Sequence, residues 1–429
     1  MREFPFIGLS DLPFSEIIFP KLAKIRQIFA LPEVSDIPQE VAREFDRFSS
    51  LIKPGARIAI TAGSRGVKGL PEVIFALIRL LRDRGADPFI VPAMGSHGGA
   101  TAEGQKQVLE QMGITEERMG APIRATMEVV ELGRTSGGLK VFIDRFAYEA
   151  DGIIAVNRIK PHTAFHGEIE SGLMKILAIG LGKQRGAASL HSTGFDKLES
   201  NVVEAGRILL ARMPVLFGIG IVENARHRPA IIKAIGKDEF EPEEKRLLRR
   251  AKELMAQIYF PSFDVLVVQE IGKDISGDGM DPNVTGRYPT PFASGGPIVQ
   301  KIVVLDLTDE TQGNANGIGQ ADVISRRVVE KMDVLKGYVN AFTSTALSPV
   351  RIPMVMATDR DAVGVALHSC VRVEPGKQKV VWIKNTLDLE RIWISEPMLP
   401  EAADKERFEI LSPPTEIPFT VSGDAKLTW

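Results

Sequence analysis

Histidine is the residue type whose positions in this sequence point most directly to chemistry. Three of the six histidines, His162, His166 and His191, lie within thirty residues of one another, and His97 lies in a glycine-rich turn. Imidazole gives and takes protons near neutral pH, and its nitrogens also bind metals. A single histidine is more often a structural, hydrogen-bonded ring, so the argument depends on the elements that carry these four.

Segments typical of buried β-strands precede two of these histidines. Residues 89–93 come before His97, and residues 151–157, with the sequence DGIIAVN, come before His162. Open α/β sheets bind their ligands at the carboxyl ends of the strands. We therefore expect His97 and His162 to face one crevice from two sides, each able to act as a general acid or base.

A lysine in a nearly apolar setting is the next candidate. Lys175 stands in SGLMKILAIGLG, within a predicted helix over 170–181. Such a lysine can extend its stem to the helix surface, which is a purely structural arrangement. An amine partly removed from water is also suited to covalent attachment of a cofactor or substrate. Spacing alone leaves both interpretations open.

A short turn provides a candidate phosphate site. The turn GSRG, residues 63–66, follows the predicted strand 57–62 and precedes a predicted helix, so its N–H groups, Ser64 and the Arg65 guanidinium could hold a phosphate. The sequence has neither GxGxxG after a strand nor GxxxxGK[ST]. The common dinucleotide and P-loop fingerprints are therefore missing.

Taken together, GSHGG around His97, PHTAFHGEIESGLMK over 161–175, and His191 resemble the lactate racemase family, whose members use a nickel-pincer nucleotide. In that family a lysine carries the cofactor and a histidine sixteen residues later binds nickel, and here Lys175 and His191 are sixteen residues apart. The resemblance implies that His97 and His162 are the acid–base pair. It further implies that Lys175 is the covalent cofactor anchor and His191 the metal ligand.

The resemblance also implies the remaining cofactor contacts and the reaction. Arg65 is similar to the family's phosphate-contacting arginine, with Ser64 beside it. A sulfur–carbon–sulfur pincer and one imidazole give the square-planar field that Ni(II) accepts, which suits a chain with the single cysteine Cys370. One histidine would take the hydroxyl proton of a 2-hydroxy acid while the Cα hydride moves to the cofactor. Hydride return to the other face, with a proton from the second histidine, would invert C2.

The sequence departs from the family pattern at several positions. Ala62 stands where the family often has an aspartate, and the stretch between His162 and the anchor lysine is longer and contains His166. The family's C-terminal substrate contacts have no clean counterpart, which leaves Lys273 and Arg287 as candidate carboxylate binders. A larger or more polar substrate than lactate, such as a sugar acid, fits equally well.

The composition is that of a soluble globular protein. The chain has 429 residues, 53 Lys and Arg against 55 Asp and Glu, and 44% hydrophobic residues. A net charge of −2 provides no general field for nucleic acid or anionic lipid, and no apolar run approaches the ~20 residues that cross a membrane. The N-terminus lacks a signal-peptide pattern. We expect a cytoplasmic protein whose partners are a small 2-hydroxy acid and the cofactor-synthesis enzymes.

Short apolar strands alternate with amphipathic helices, which predicts an α/β fold. A charge-rich segment, 241–258, is followed by a new β-pattern, so a domain boundary is expected near 255–262. The prediction is an N-terminal α/β domain over 1–258 with the cofactor and catalytic histidines, and a C-terminal α/β domain over 259–429 for substrate binding and closure. The active-site crevice is expected between them. The tail after residue 398 is expected to be loosely structured.

Two other functions are compatible with the same residues. His97, His162 and His191 could surround a zinc ion in a hydrolase, but Lys175 would then have no role. The protein could also bind the cofactor without turnover, if Ala62 and the altered C-terminal loops no longer hold substrate. The racemase or epimerase is the leading hypothesis because it gives every one of these residues a role.

Overall fold

The computed structural model describes residues 6–13, 17–64 and 66–429, and this part of the chain divides into two compact units. Leu31–Met255 form the first unit. Ala256–Trp429, with the described residues that precede Leu31, form the second. Arg65, for which a phosphate contact was predicted, lies outside the described residues.

The first described strand, β1 (Leu22–Gln27), belongs to the second unit. The strands of the first unit are β2 (Arg57–Ala62), β3 (Asp87–Pro92), β4 (Val129–Arg134), β5 (Lys140–Asp144), β6 (Gly152–Arg158), β7 (Val215–Glu223) and β8 (Pro229–Gly236). Five of them form one sheet in the order β3-β2-β6-β7-β8, parallel except for β8. The other two, β4 and β5, form an antiparallel pair.

Helices cover both faces of this sheet. They are α1 (Ile37–Asp46), α2 (Leu70–Asp83), α3 (Ala102–Gln111), α4 (Glu116–Met119), α5 (Arg145–Tyr148), α6 (Leu173–Lys175), α7 (Lys183–His191), α8 (Leu198–Arg212) and α9 (Phe240–Leu254). Side chains of β2 alternate between the faces, so Ile58 and Ile60 pack with α1 and α2 while Ala59 packs with α7, α8 and α9. This two-sided burial is typical of parallel sheets.

The second unit contains a mixed eight-stranded sheet. Its further elements are β9 (Ser262–Val268), α10 (Pro282–Thr285), β10 (Ile298–Val304), β11 (Val323–Ser325), α11 (Arg326–Lys331), α12 (Val334–Ser344), β12 (Met354–Met356), α13 (Asp359–His368), β13 (Val380–Ile383), β14 (Arg391–Ser395) and β15 (Phe408–Ile410). The strand order is β12-β11-β10-β9-β13-β14-β1-β15. Both units are thus α/β, and the predicted fold class is confirmed.

Strand pairing between segments distant in sequence makes the domain organisation differ from the predicted one. The predicted N-terminal domain began at residue 1, whereas β1 pairs antiparallel with both β14 and β15 of the second unit. The tail, predicted to be loosely structured, supplies β15 to this sheet. Ladder hydrogen bonds between segments so distant in sequence leave no local pattern from which they could be predicted. No helix within the described ranges is long and apolar enough to cross a membrane.

Candidate active site

Three neighbouring parallel strands bring together residues that are far apart in the sequence. Ser64 lies two residues after the end of β2, and His97 lies five residues after the end of β3. His162 lies four residues after β6, which pairs with the other side of β2. Because parallel strands end at a common edge, all three residues lie at one edge of the sheet, where α/β folds bind ligands.

A direct contact joins two of these residues. Ser64 Oγ lies 2.5 Å from His97 Nδ1, and the hydroxyl can donate or accept in this hydrogen bond. The turn that carries His97 depends on glycine, since Gly98 has a φ of +64° and a Cβ there would lie 2.7 Å from the backbone of Gly104 and Gln105. Ser64 therefore orients an exposed imidazole that the turn holds at the sheet edge.

The loop around His162 is fixed by a buried carboxylate. Glu170 is fully buried, and its Oε2 accepts the His162 N–H at 2.7 Å while its Oε1 accepts Lys252 Nζ at 2.6 Å. His162 Nδ1 accepts the Ala164 N–H at 3.0 Å. A backbone N–H can only donate, so the neutral His162 ring carries its proton on Nε2. The ring also packs on Phe165, with centroids 4.4 Å apart.

Lys175 ends α6 and is followed by a π-helical turn, Ile176–Gly180. The helix predicted over 170–181 begins at Leu173, three residues later than predicted, and its second part is π-helical, because tertiary contacts shape this segment. Two side chains from other elements contact its start. Asn157 Nδ2 donates to the Gly172 carbonyl oxygen at 2.8 Å, and Glu244 Oε2 accepts the Met174 N–H. π-Helical turns are rare and are frequent at functional sites. The lysine itself is half-buried.

His191 has the hydrogen bonding of a metal ligand. Its Nδ1 lies 2.7 Å from the Ala187 carbonyl oxygen, so Nδ1–H donates and Nε2 keeps its lone pair. Burial lowers the pKa of His191, and the nearby charge of Lys175 lowers it further, against the opposing effect of the Ala187 hydrogen bond. The ring is therefore neutral, as a ligand must be, and Lys175 lies close enough to influence it.

A site built from three histidines alone is not formed. Among the residues that the structure describes, no group of three or more His, Cys, Asp or Glu side chains could hold a metal ion. The hydrolase hypothesis needed His97, His162 and His191 around one zinc ion, and this geometry does not support it. A metal at His191 would need further donors that do not come from such a cluster.

The two candidate carboxylate binders lie in the second unit and have partners there. Lys273 Nζ donates to the Gly277 carbonyl oxygen at 2.5 Å. Arg287 pairs with Asp322 at 2.5 Å and also donates to the Gln320 carbonyl oxygen at 3.0 Å. A substrate carboxylate at Arg287 would have to compete with Asp322.

Several buried polar residues that support the site were missed from the sequence. They are Gln105, Glu170, Lys183 and Glu244, each at most 1% exposed. Lys183 had one available signal, since it directly follows the apolar run 176–182, whereas Glu170 has no such run beside it. Charged side chains are almost never fully buried unless they are paired. Gln105 and Glu244 lie on ordinary amphipathic helices and had no such signal.

Glu244 supports the start of the segment that carries Lys175, and its ionisation should make the free energy of unfolding depend on pH. Its Oε2 accepts the Met174 N–H at 2.9 Å. Burial raises the pKa of Glu244 from 4.5 to about 7, against the opposing N–H groups of Met174 and Leu173. Between pH 4.5 and 7 the folded protein therefore keeps a proton on Glu244 that the unfolded chain loses. As the pH rises through this range, the free energy of unfolding falls by about 3 kcal/mol.

Glu244→Gln should remove this dependence because the amide does not ionise. The free energy of unfolding of the variant minus that of the wild type should rise by about 3 kcal/mol between pH 4.5 and pH 8, measured by urea unfolding. Glu253→Gln, an exposed position on the same helix, is the control and should show a nearly constant difference. A constant difference for Glu244→Gln as well would contradict the prediction.

The fold and the site define a class: an α/β protein with a candidate acid–base site at the carboxyl edge of a parallel sheet. Residues 38–201 match the family model described as the lactate racemase N-terminal domain. This range contains Ser64, His97, His162, Lys175 and His191. The resemblance to the lactate racemase family that the sequence indicates is confirmed by this match, which supports a racemase or epimerase.

A solved structure shows the same fold. The lactate racemase apoprotein from Thermoanaerobacterium thermosaccharolyticum superposes with a TM-score of 0.52, covering 85% of this chain and 94% of that chain. The two sequences are 14% identical, so the likeness concerns the fold alone. No curated protein matches the chain.

Proposed function

We propose that this protein is a racemase or epimerase that inverts C2 of a 2-hydroxy acid with a nickel-pincer nucleotide attached to Lys175. The observation that carries the proposal is the state of His191, a neutral imidazole with its Nε2 lone pair available and with Lys175 close by. Two histidines that follow the strands on either side of β2 supply the acid–base groups that inversion needs.

The residues fit this cofactor. His191 Nε2 would ligate the nickel, and the half-buried Lys175 amine would form the amide-type bond to the cofactor. Ser64, and Arg65 beside it, would contact the phosphate. When bound, the group would supply sulfur and carbon donors for Ni(II) and a ring that accepts and returns hydride.

His97 and His162 would exchange the protons. The Ser64 hydroxyl can donate to His97 Nδ1 or accept from it, so His97 can offer either a lone pair or a proton at Nε2. The neutral His162 ring, by contrast, carries its proton on Nε2. His97 would therefore start neutral and take the hydroxyl proton. His162 would start as the imidazolium and donate from Nε2 to the oxygen of the inverted product, which requires Nδ1 to release the Ala164 N–H and take a proton from solvent.

The substrate needs a cation for its carboxylate, and Lys273 and Arg287 are the proposed binders. Both side chains have partners within the second unit, so a substrate carboxylate would have to compete with the Gly277 carbonyl oxygen at Lys273 and with Asp322 at Arg287. Sugar acids as well as lactate belong in the substrate panel, since the candidate carboxylate binders do not choose between them. Lys273→Met should raise KM for the true substrate and leave cofactor attachment unchanged.

The test uses protein produced together with the enzymes that make the cofactor. We expect intact and peptide mass spectra to show an adduct on Lys175, metal analysis to show nickel, and at least one 2-hydroxy acid of the panel to racemise. A substrate deuterated at Cα should keep its deuterium in ordinary water. Absence of both adduct and nickel would overturn the proposal, and complete loss of deuterium would indicate carbanion chemistry. An adduct without turnover would favour a cofactor-binding protein.

A further inference from the structure

Lys183 is a charged residue to which the proposed reaction gives no role, yet it is fully buried inside the first unit. Its ammonium lies within hydrogen-bond distance of three acceptors: the Pro92 carbonyl oxygen, Gln105 Oε1 at 2.9 Å and Asp144 Oδ2 at 3.1 Å. Two of its N–H donors thus make hydrogen bonds, and its charge is paired with Asp144. These partners explain how a lysine can be fully buried.

The backbone of Lys183 is also unusual. Its φ is +53°, in the left-handed region that residues other than glycine rarely adopt. Conformations of this kind persist only where the surroundings fix them, and they are concentrated at functional sites. Lys183 begins α7 and stands eight residues after Lys175 and eight before His191. The buried amine therefore fixes the backbone at the midpoint between the two proposed cofactor residues.

Gln105 extends this network to the turn that carries His97. The Gln105 Oε1 accepts from Lys183, and its Nε2 donates to the carbonyl oxygens of Gly95 at 2.9 Å and His97 at 3.3 Å. The Gly95 N–H donates in turn to the Gly180 carbonyl oxygen at 3.2 Å. A continuous set of hydrogen bonds thus runs from the segment with Lys175 and His191 to the backbone of the His97 turn.

We propose that Lys183 is a positioning residue that, through Gln105 and the end of β3, fixes the His97 turn relative to the segment carrying Lys175 and His191. The effect of Lys183 on catalysis rests on the proposed function, whereas the hydrogen-bonded connection between the His97 turn and the segment with Lys175 and His191 does not. A buried ion pair contributes little net stability compared with apolar side chains of the same volume. The Asp144–Lys183 pair is therefore better explained by the geometry that it imposes than by stability.

Three variants separate positioning from stability. Lys183→Met removes the ammonium but leaves Asp144 buried without a cation, so it should lose stability for that reason alone. The double variant Lys183→Met/Asp144→Asn removes both charges and keeps an amide oxygen for the Ala147 N–H that Asp144 Oδ1 accepts at 3.1 Å. Gln105→Met removes the hydrogen bonds of Gln105 to Lys183 and to the turn, and leaves the Asp144–Lys183 pair in place. Lys197→Met, at an exposed position, is the control.

Two measurements apply to folded variants with thermal unfolding close to that of the wild type. In cofactor-free protein, amide exchange over residues 94–101 should accelerate by at least about 10-fold in the double variant and in Gln105→Met. In cofactor-loaded protein, kcat should fall by about 100-fold, while KM and the amount of Lys175 adduct change little. Exchange in β7, remote from the turn, should be unchanged.

The exchange measurement requires no enzymatic activity, so it stays decisive even if the wild-type protein racemises nothing and the proposed function fails. A double variant with wild-type exchange over residues 94–101 would overturn the inference and reduce Lys183 to the partner of Asp144. So would Gln105→Met with wild-type exchange, because it would show that the bridge does not restrain the turn. If the double variant does not fold, Gln105→Met decides the question alone.

Discussion

Lys175→Arg is expected to abolish cofactor attachment and racemisation together. Arginine keeps the positive charge and a long stem, but its guanidinium stays protonated and does not form the covalent bond that a lysine amine can form. Since the charge beside His191 is retained, the cofactor-free variant should fold like the wild type. The rate should fall by at least about 10⁴-fold, because the residues alone provide no hydride acceptor.

The measurement combines intact mass, nickel content and racemisation rate on protein produced with the cofactor-making enzymes. Lys197→Arg, an exposed lysine beyond His191, provides the matched control and should keep the adduct, the nickel and the rate. If Lys175→Arg retained both the adduct mass and the activity, another residue would be the anchor. Retained activity without an adduct would mean that the cofactor acts without a covalent bond.

His97→Asn is expected to lower kcat/KM by about 10²- to 10⁴-fold, the usual contribution of a general acid or base. Asparagine can still hydrogen-bond to Ser64 but cannot exchange a proton near neutral pH. The loss must be equal for the two directions, because the equilibrium between the enantiomers or epimers is independent of the enzyme. Ser64→Ala should have a smaller effect of about 10-fold, since it removes only the partner that orients the ring.

Polarimetry or chiral chromatography in both directions measures this effect, with the Lys175 adduct quantified in the same samples. His368→Asn, an exposed histidine of the second unit, is the matched control and should leave the rate unchanged. Equal loss of adduct and activity in His97→Asn would assign His97 to cofactor binding instead of proton transfer. A variant with full activity would exclude His97 from the reaction.

Local regularities explain which elements could be predicted. The strand predicted at 57–62 is β2 with the same bounds, and the helix predicted by apolar spacing after it is α2, because side-chain period decides burial in both cases. The helix predicted over 170–181 starts later and becomes π-helical for a non-local reason. Glu244 of α9 accepts the Met174 N–H in its first turn, and Lys183, after the π-helical turn, has a left-handed backbone.

Some residues of the candidate site could be predicted from the sequence, and others were found only in the structure. Residue type, strand context and the sixteen-residue spacing of Lys175 and His191 indicated a resemblance to the family, and the match of residues 38–201 to the family model confirms that resemblance. The roles of His97, His162, Lys175 and His191 stay predictions for the experiments above. The supporting residues Gln105 and Glu244 could not be predicted, because a buried glutamine or glutamate on an amphipathic helix has no distinct sequence pattern.

The sequence by itself determined the chemistry available to this protein: two histidines after strands, a lysine in an apolar run, and a further histidine at family spacing. Only the tertiary structure decided how these groups are held. It brought Ser64 against His97, assigned the available nitrogen of His191, and linked Lys183 through Gln105 to the His97 turn. The physical reason is that periodicity and spacing encode local burial, whereas hydrogen bonds between distant segments form only when the sheet aligns its strand ends.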